Sequence, residues 1–171
     1  MNILIFNGSH RKNGNCSNFS EVANNILSQK HVVNVCHLID CNIKPCNGCL
    51  NCEAGMHCPL IDDYSNRIVD SIKEAELLIF ATPTYFNMPS AAMVNLIDRT
   101  NNLCEYFAET PKKIFTYVSG QTDEDSMKDA YNCLKTYFDI MAMEEIAPPI
   151  FHVARFKEDL PEKIYDLLKE I

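Results

Sequence analysis

Short apolar runs along the chain alternate with segments whose apolar residues recur every three or four positions. Asn2 to Phe6 reads as a buried strand, and Phe19, Val22, Ala23, Ile26 and Leu27 then fall on one face of a helix. Val32 to Ile39 is a β-branched run interrupted by Asn34 and His37, which suits a second strand at a sheet edge. Tyr64, Ile68, Val69 and Ile72 resume helical spacing. Leu77 to Ala81 is continuously apolar, as strands buried on both faces are. Ala92, Met93, Leu96 and Ile97 mark a third helix face, and Ile114 to Val118 a fourth strand. Met127, Tyr131, Leu134, Phe138 and Met141 line another helix. Ile150 to Ala154 gives a fifth strand, and Leu160, Ile164, Leu167, Leu168 and Ile171 a closing helix. Between Asp40 and Asp63 neither period holds, and the stretch is long for a connection in a compact domain.

Strands alternating with helices predict an α/β fold with a parallel sheet and right-handed crossovers. We expect a flavodoxin-like three-layer sandwich, a five-stranded parallel sheet in the order 2-1-3-4-5. In that order the first and third strands meet at the topological switch point, and ligands bind outside the carboxyl ends of the strands. The loops Asn7 to Ser17, Pro83 to Pro89 and Ser119 to Asp123 all leave carboxyl ends, so they share one rim. With 171 residues, 47% of them hydrophobic, one domain spanning 1–171 is expected, with a cysteine-rich loop insertion at 40–63.

The first rim loop lies between a strand and a helix N-terminus, where free N–H groups and the helix dipole favour an anion. Ser9, Arg11, Asn15 and Ser17 could add donors. It is neither a Walker A loop, because Gly8 and Gly14 enclose five residues and Asn15 stands where the lysine should be, nor a three-glycine dinucleotide fingerprint. A terminal phosphate monoester remains, with an ordinary polar turn as the alternative. In the second loop Tyr85 and Phe86 could flank a flat heterocycle, while Thr82, Thr84 and Asn87 or backbone amides bond its edge and Pro83 and Pro89 stiffen the frame. Gly120, after Ser119, lets backbone approach from the far side. Alone, each loop could be a plain strand-to-helix turn; together they describe FMN.

Gly8-Ser9-His10-Arg11 through Gly14-Asn15-Cys16-Ser17, with Pro83-Thr84-Tyr85-Phe86 and Ile97-Asp98-Arg99, resembles the NADPH-dependent FMN reductase family. The resemblance implies that Ser9, Arg11, Asn15, Cys16 and Ser17 hold the FMN phosphate. It places Pro83, Thr84, Tyr85, Phe86 and Asn87 at the isoalloxazine ring, with Ser119 and Gly120 across from it. Cys16 stands where the family usually has threonine, so contact there is expected from its backbone N–H. Ala92 and Val94 replace more polar residues typical of the third helix. The family also implies a homodimer or homotetramer and NAD(P)H as a donor.

The net charge of −8 argues against nucleic acid or an anionic membrane as main partner. No apolar run approaches a membrane span, and Ile3-Leu4-Ile5-Phe6 is short for a signal-peptide core, so a cytoplasmic location is expected. Nine cysteines are many for such a chain. Cys36, Cys104 and Cys133 lie in apolar or helical patterns and read as packing. Cys46, Cys49, Cys52 and Cys58 are spaced Cys-x2-Cys-x2-Cys-x5-Cys, followed by Pro59. Such spacing suits the separate corners of an iron–sulfur cube. Zinc, which usually joins two separated knuckles, and free or oxidised thiols are the alternatives. The spacing resembles that of iron–sulfur flavoproteins in the same family, which implies a [4Fe-4S] cluster on these four residues.

The expected function is an FMN-dependent oxidoreductase moving electrons between a reduced donor, NAD(P)H or a ferredoxin-like protein, and an acceptor, with no side chain assigned as acid or base. A cluster-free NAD(P)H-dependent FMN or quinone reductase and a flavodoxin-type electron carrier are the rivals.

Overall fold

Ile3, Leu4, Ile5 and Phe6 are all buried, and the strand they form, β1 (Asn2–Asn7), is an inner strand of the sheet. The computed structural model describes residues Met1–Ile171. β1 pairs in parallel with β2 (Val32–His37) on one side and β3 (Leu77–Tyr85) on the other. A two-residue strand, β4 (Met88–Pro89), folds back antiparallel on β3. Beyond β3 comes β5 (Lys113–Gly120), also parallel. The last position is shared, since β6 (Glu144–Glu145) pairs with the start of β5 and β7 (Ile150–Val153) with its end. The interruption coincides with Pro148 and Pro149, which have no N–H to give a ladder. The main path is therefore the expected 2-1-3-4-5, its fifth place filled in two pieces. The edge position expected for the second strand is also found.

Six helices cover the sheet: α1 (Asn15–Leu27), α2 (Val69–Glu74), α3 (Ala91–Arg99), α4 (Cys104–Glu109), α5 (Glu124–Ile140) and α6 (Glu162–Glu170). The two-residue alternation of the strands divides the core. Ile3, Ile5, Ile79, Phe115 and Tyr117 pack on Phe19, Ala23 and Leu27 of α1 and on Ile164 and Leu168 of α6. Leu4, Phe6, Leu78, Phe80 and Ile114 pack instead on Ile72, Met93, Leu96, Phe107, Leu134 and Phe138, supplied by α2 to α5. No helix is long and apolar enough to cross a membrane.

Three local outcomes differ from the sequence pattern. β3 runs on to Tyr85, so the second rim loop is a hairpin whose tip, Phe86-Asn87, has φ of +50° and +58°. Positive φ at both central residues is the mirror-image turn that matches strand twist. α4 is an extra helix, too short for its periodicity to stand out. Cys133 is exposed on α5 rather than packed, with its sulfur 4.0 Å from Met88 Sδ.

Between Cys41 and Ile61 the cysteine-rich insertion has turns but no strand or helix. It is held at both ends. Asp62 takes the N–H groups of Tyr64 and Ser65 on Oδ1 (3.0 and 3.2 Å), opening the π-helical turn Tyr64–Ile68 that leads into α2, and the Lys44 N–H on Oδ2 (2.9 Å). Arg99, at the end of α3, donates to Asp62, to the Lys44 carbonyl (2.8 Å) and to the Leu60 carbonyl (3.4 Å). Both charged side chains are almost wholly buried. Arg99 also lies over the Tyr64 ring, 4.8 Å from its centroid. Burial alone would raise the Asp62 pKa, but the bonds from Arg99 and from the Lys44 and Ser65 amides hold it below the usual carboxylate value.

Candidate functional site

The carboxyl ends of β1, β3, β5 and β7 surround a cavity of about 180 Å³. Ser9, Arg11, Asn15, Cys16, Pro83, Thr84, Tyr85, Ser119 and Gly120 line it, so nine of the twelve rim positions singled out in the sequence converge. At its floor α1 starts after Gly14, which has no side chain to cap the helix, and no acidic residue follows in the first turn. The first N–H groups of α1 thus lack a side-chain acceptor, and an anion would supply one. A Cβ on Gly120 would come within 2.9 Å of both Met127 Cγ and Thr84 Oγ1, so the close approach of β5 to β3 here requires glycine.

The side chains of the first loop do more than face the cavity. Ser17 Oγ donates to the Arg11 carbonyl (2.9 Å) and accepts from Asn7 Nδ2 (3.0 Å); it braces the loop and does not line the cavity. Ser9 Oγ accepts from the Arg11 N–H (3.1 Å). Asn15 spans to the opposite wall, donating to the Ala154 carbonyl (3.4 Å) and accepting from the Glu158 N–H (3.1 Å). The Cys16 thiol points into the core among Phe19 and Ile3, where burial pushes its pKa up; what it presents to the cavity is backbone. Phe86 and Asn87 sit at the hairpin tip outside the cavity. Phe86 is fully exposed, and Asn87 donates to Asp129 of α5 (3.0 Å).

The far wall is Ala154, Arg155, Phe156 and Lys157, just past β7, with Gln121 beside Gly120. The sequence pattern includes Ala154 in the fifth strand and Gln121 in the third rim loop but passes over Arg155, Phe156 and Lys157, although two basic residues at a strand's carboxyl end are a readable signal. With Arg11 they put three cations on this cavity and no carboxylate, in a chain of net charge −8. Behind this wall Tyr117 Oη and His152 Nδ1 are 2.6 Å apart, and burial holds His152 below the usual histidine value. Uncapped amides, cations and a slot bounded by Pro83, Thr84 and Tyr85 fit a phosphorylated planar cofactor such as FMN.

A second cavity, about 600 Å³, lies on the other helix layer between the cysteine-rich insertion and the ends of α3 and α5. Cys46, Cys49, Cys52 and Cys58 all line it, against Ile97, Arg99, Asn101, Tyr137 and Met141. Three of the sulfurs already face N–H donors: Asn101 Nδ2 to Cys52 (3.1 Å), Arg99 Nη2 to Cys58 (3.6 Å) and the Gly48 N–H to Cys46 (3.5 Å). No three Cys, His, Asp or Glu side chains gather around one point as a single ion requires. An iron–sulfur cube spreads its ligands over separate corners and takes N–H···S bonds around them, which suits donors of this kind. The two cavities have no lining residue in common.

Fold and rim together define a flavodoxin-type α/β protein with a cationic cavity at the switch point. The chain belongs to the NADPH-dependent FMN reductase family, whose model matches residues 1–158. It is 33% identical over 100 residues to an iron-sulfur flavoprotein of Archaeoglobus fulgidus, covering 58% of this chain and 49% of that protein. With an iron-sulfur flavoprotein of Methanocaldococcus jannaschii it shares 33% over 104 residues, 60% of this chain and 53% of that one. The match thus spans about half the length of these relatives. Among solved structures, the Streptococcus mutans protein Smu.1420 superposes with a TM-score of 0.75 at 15% identity over all of both chains. An NADH:FMN oxidoreductase in its apo form superposes at 0.67 and 18% identity, over 99% of this chain and 84% of that one. At such identities these two establish the shared fold.

Proposed function

We propose that the chain is an FMN-dependent oxidoreductase of the iron–sulfur flavoprotein kind, moving electrons between a reduced donor, NAD(P)H or a ferredoxin-like protein, and an acceptor. The observation that carries this reading is one chain with two separate cavities, one cationic at a helix N-terminus and one lined by all four closely spaced cysteines. Bound FMN would supply exchange between two-electron and one-electron partners, and a [4Fe-4S] cluster on Cys46, Cys49, Cys52 and Cys58 a one-electron port. Arg11, Arg155, Lys157 and the α1 amides would neutralise the phosphate. Pro83, Thr84, Tyr85, Ser119 and Gly120 would orient the ring, while Arg99 and Asn101 donate to the cysteine sulfurs. The names of the relatives support the cluster, and the separation of the cavities supports transfer to a flavin in a neighbouring subunit of a homodimer or homotetramer.

Anaerobic reconstitution tests both halves. The expected product holds about one FMN per chain, with near-stoichiometric iron and sulfide and a broad cluster absorbance beneath the flavin bands. A protein that binds FMN, lacks iron and keeps full NAD(P)H-dependent activity would sink the cluster half. That outcome would establish a cluster-free reductase with the cysteine-rich insertion as a lid.

A further inference from the structure

Two cysteines belong to neither cavity yet lie against each other. Cys36, the last residue but one of β2, and Cys41, just after the turn Leu38–Asp40, have their sulfurs 3.6 Å apart, and both are partly exposed. Their environments differ. Arg67 Nη2 donates to Cys41 Sγ at 3.2 Å, so a cation is in place to stabilise negative charge on that sulfur as it attacks. The same guanidinium reaches Asp63 (3.5 Å), whose carboxylate takes the Asn42 N–H (2.7 Å). Both cysteines pack against the core, and at Cys36 burial first, then the neighbouring Cys41, pushes the pKa up to about 12, so it keeps its proton at neutral pH. A disulfide bond is about 2.0 Å long, so sulfurs already in contact need only a small side-chain rotation to join.

We propose that Cys36 and Cys41 are a redox-active dithiol, a modification site for small peroxides. Cys41 sulfur attacks one oxygen of hydrogen peroxide, the O–O bond breaks, and hydroxide leaves and is protonated to water; Cys41 is now a sulfenic acid. Cys36 sulfur then attacks Cys41 sulfur, the S–O bond breaks, and the departing hydroxide takes the Cys36 proton. Two thiols and one peroxide give one disulfide and two waters. A low-molecular-weight thiol, by exchange, returns the pair to the reduced state. The location gives the bond something to act on. His37, between the two cysteines, reaches Asn7 Nδ2 (3.0 Å), which braces Ser17. Asp40 pairs with Lys12 of the same rim loop (3.4 Å), and Cys41 opens the cysteine-rich insertion.

The test treats the 171-residue chain, as prepared with its cofactors, with equimolar hydrogen peroxide, blocks the remaining thiols and maps peptides by tandem mass spectrometry. Cleavage before Asp40 puts the two cysteines in different peptides, and fragment ions then assign the bridge, because those peptides also hold Cys16 and Cys46, Cys49, Cys52 and Cys58. The expected result is a Cys36–Cys41 bridge ahead of any oxidation at Cys46, Cys49, Cys52 or Cys58. Cys36→Ser should leave a sulfenic acid at Cys41 that dimedone traps, and Arg67→Met should slow trapping about tenfold, with Arg67→Lys partly restoring it. A first bridge formed elsewhere, or no oxidation at Cys41 in native-sequence protein, overturns the proposal; the second measurement needs no variant to fold.

Discussion

Asn15 and Ser17 are both expected as phosphate donors; in the fold the Ser17 side chain braces the first loop, while that of Asn15 lines the cavity and bonds across it to the opposite wall. A hydroxyl or amide near an anion site reads the same in sequence whether it points at the ligand or at a carbonyl of its own loop. Arg11→Ala and Arg155→Ala should each raise the Kd for FMN about tenfold, the value of roughly one charge-assisted hydrogen bond, as followed by quenching of flavin fluorescence. Ser17→Ala should instead lower stability by about 1–3 kcal/mol, because it leaves the Arg11 carbonyl and Asn7 amide unpaired; thermal unfolding without FMN separates the two effects. His152 adds a pH dependence. Its folded pKa is lowered by burial, so its neutral form stabilises the fold above the unfolded value near 6.5, and that contribution is lost as pH falls through the folded value. The melting temperature should drop between about pH 7 and pH 5, and less so in His152→Asn.

At the scale of elements, the apolar strands β1, β3 and β5 were legible because each is buried on both faces and needs no partner information to be recognised. The hairpin β3–β4 was not, since Phe86 and Asn87 adopt positive φ without the glycine that usually announces such a turn. The cysteine-rich insertion has no strand or helix between Cys41 and Ile61, and nothing in its own sequence shows what fixes it. That is Arg99, far along the chain and visible beforehand only as part of a family motif. Breaking a buried ion pair from one side strands the other charge, so Arg99→Met should cost about 3–5 kcal/mol. It should also make the segment from Cys46 to Cys58 the first site of limited proteolysis. Asp62 makes the same anchor sensitive to acid. Its folded pKa is lowered, so its contribution is present above the unfolded value near 4 and is lost as pH falls below it; proteolytic release of the insertion with falling pH measures this.

For the molecule as a whole, the separation of the two cavities predicts independence. Cys49→Ser should abolish iron binding while leaving FMN affinity within about twofold, because sites without shared residues add; parallel iron assay and flavin titration check this. The sequence placed four cysteines together and three loops on one rim. It could not place those two groups relative to each other, because that distance is set by how α3 and α5 pack. The divided fifth strand carries a different consequence. A sheet ending in a continuous strand offers a row of free N–H and C=O groups on which another chain can grow. Here that outer margin is two short pieces parted by Pro148-Pro149, so neither gives an incoming strand a long enough run to nucleate on. The prolines thus leave this edge, unlike the uninterrupted β2 edge, without a continuous strand for another chain to extend.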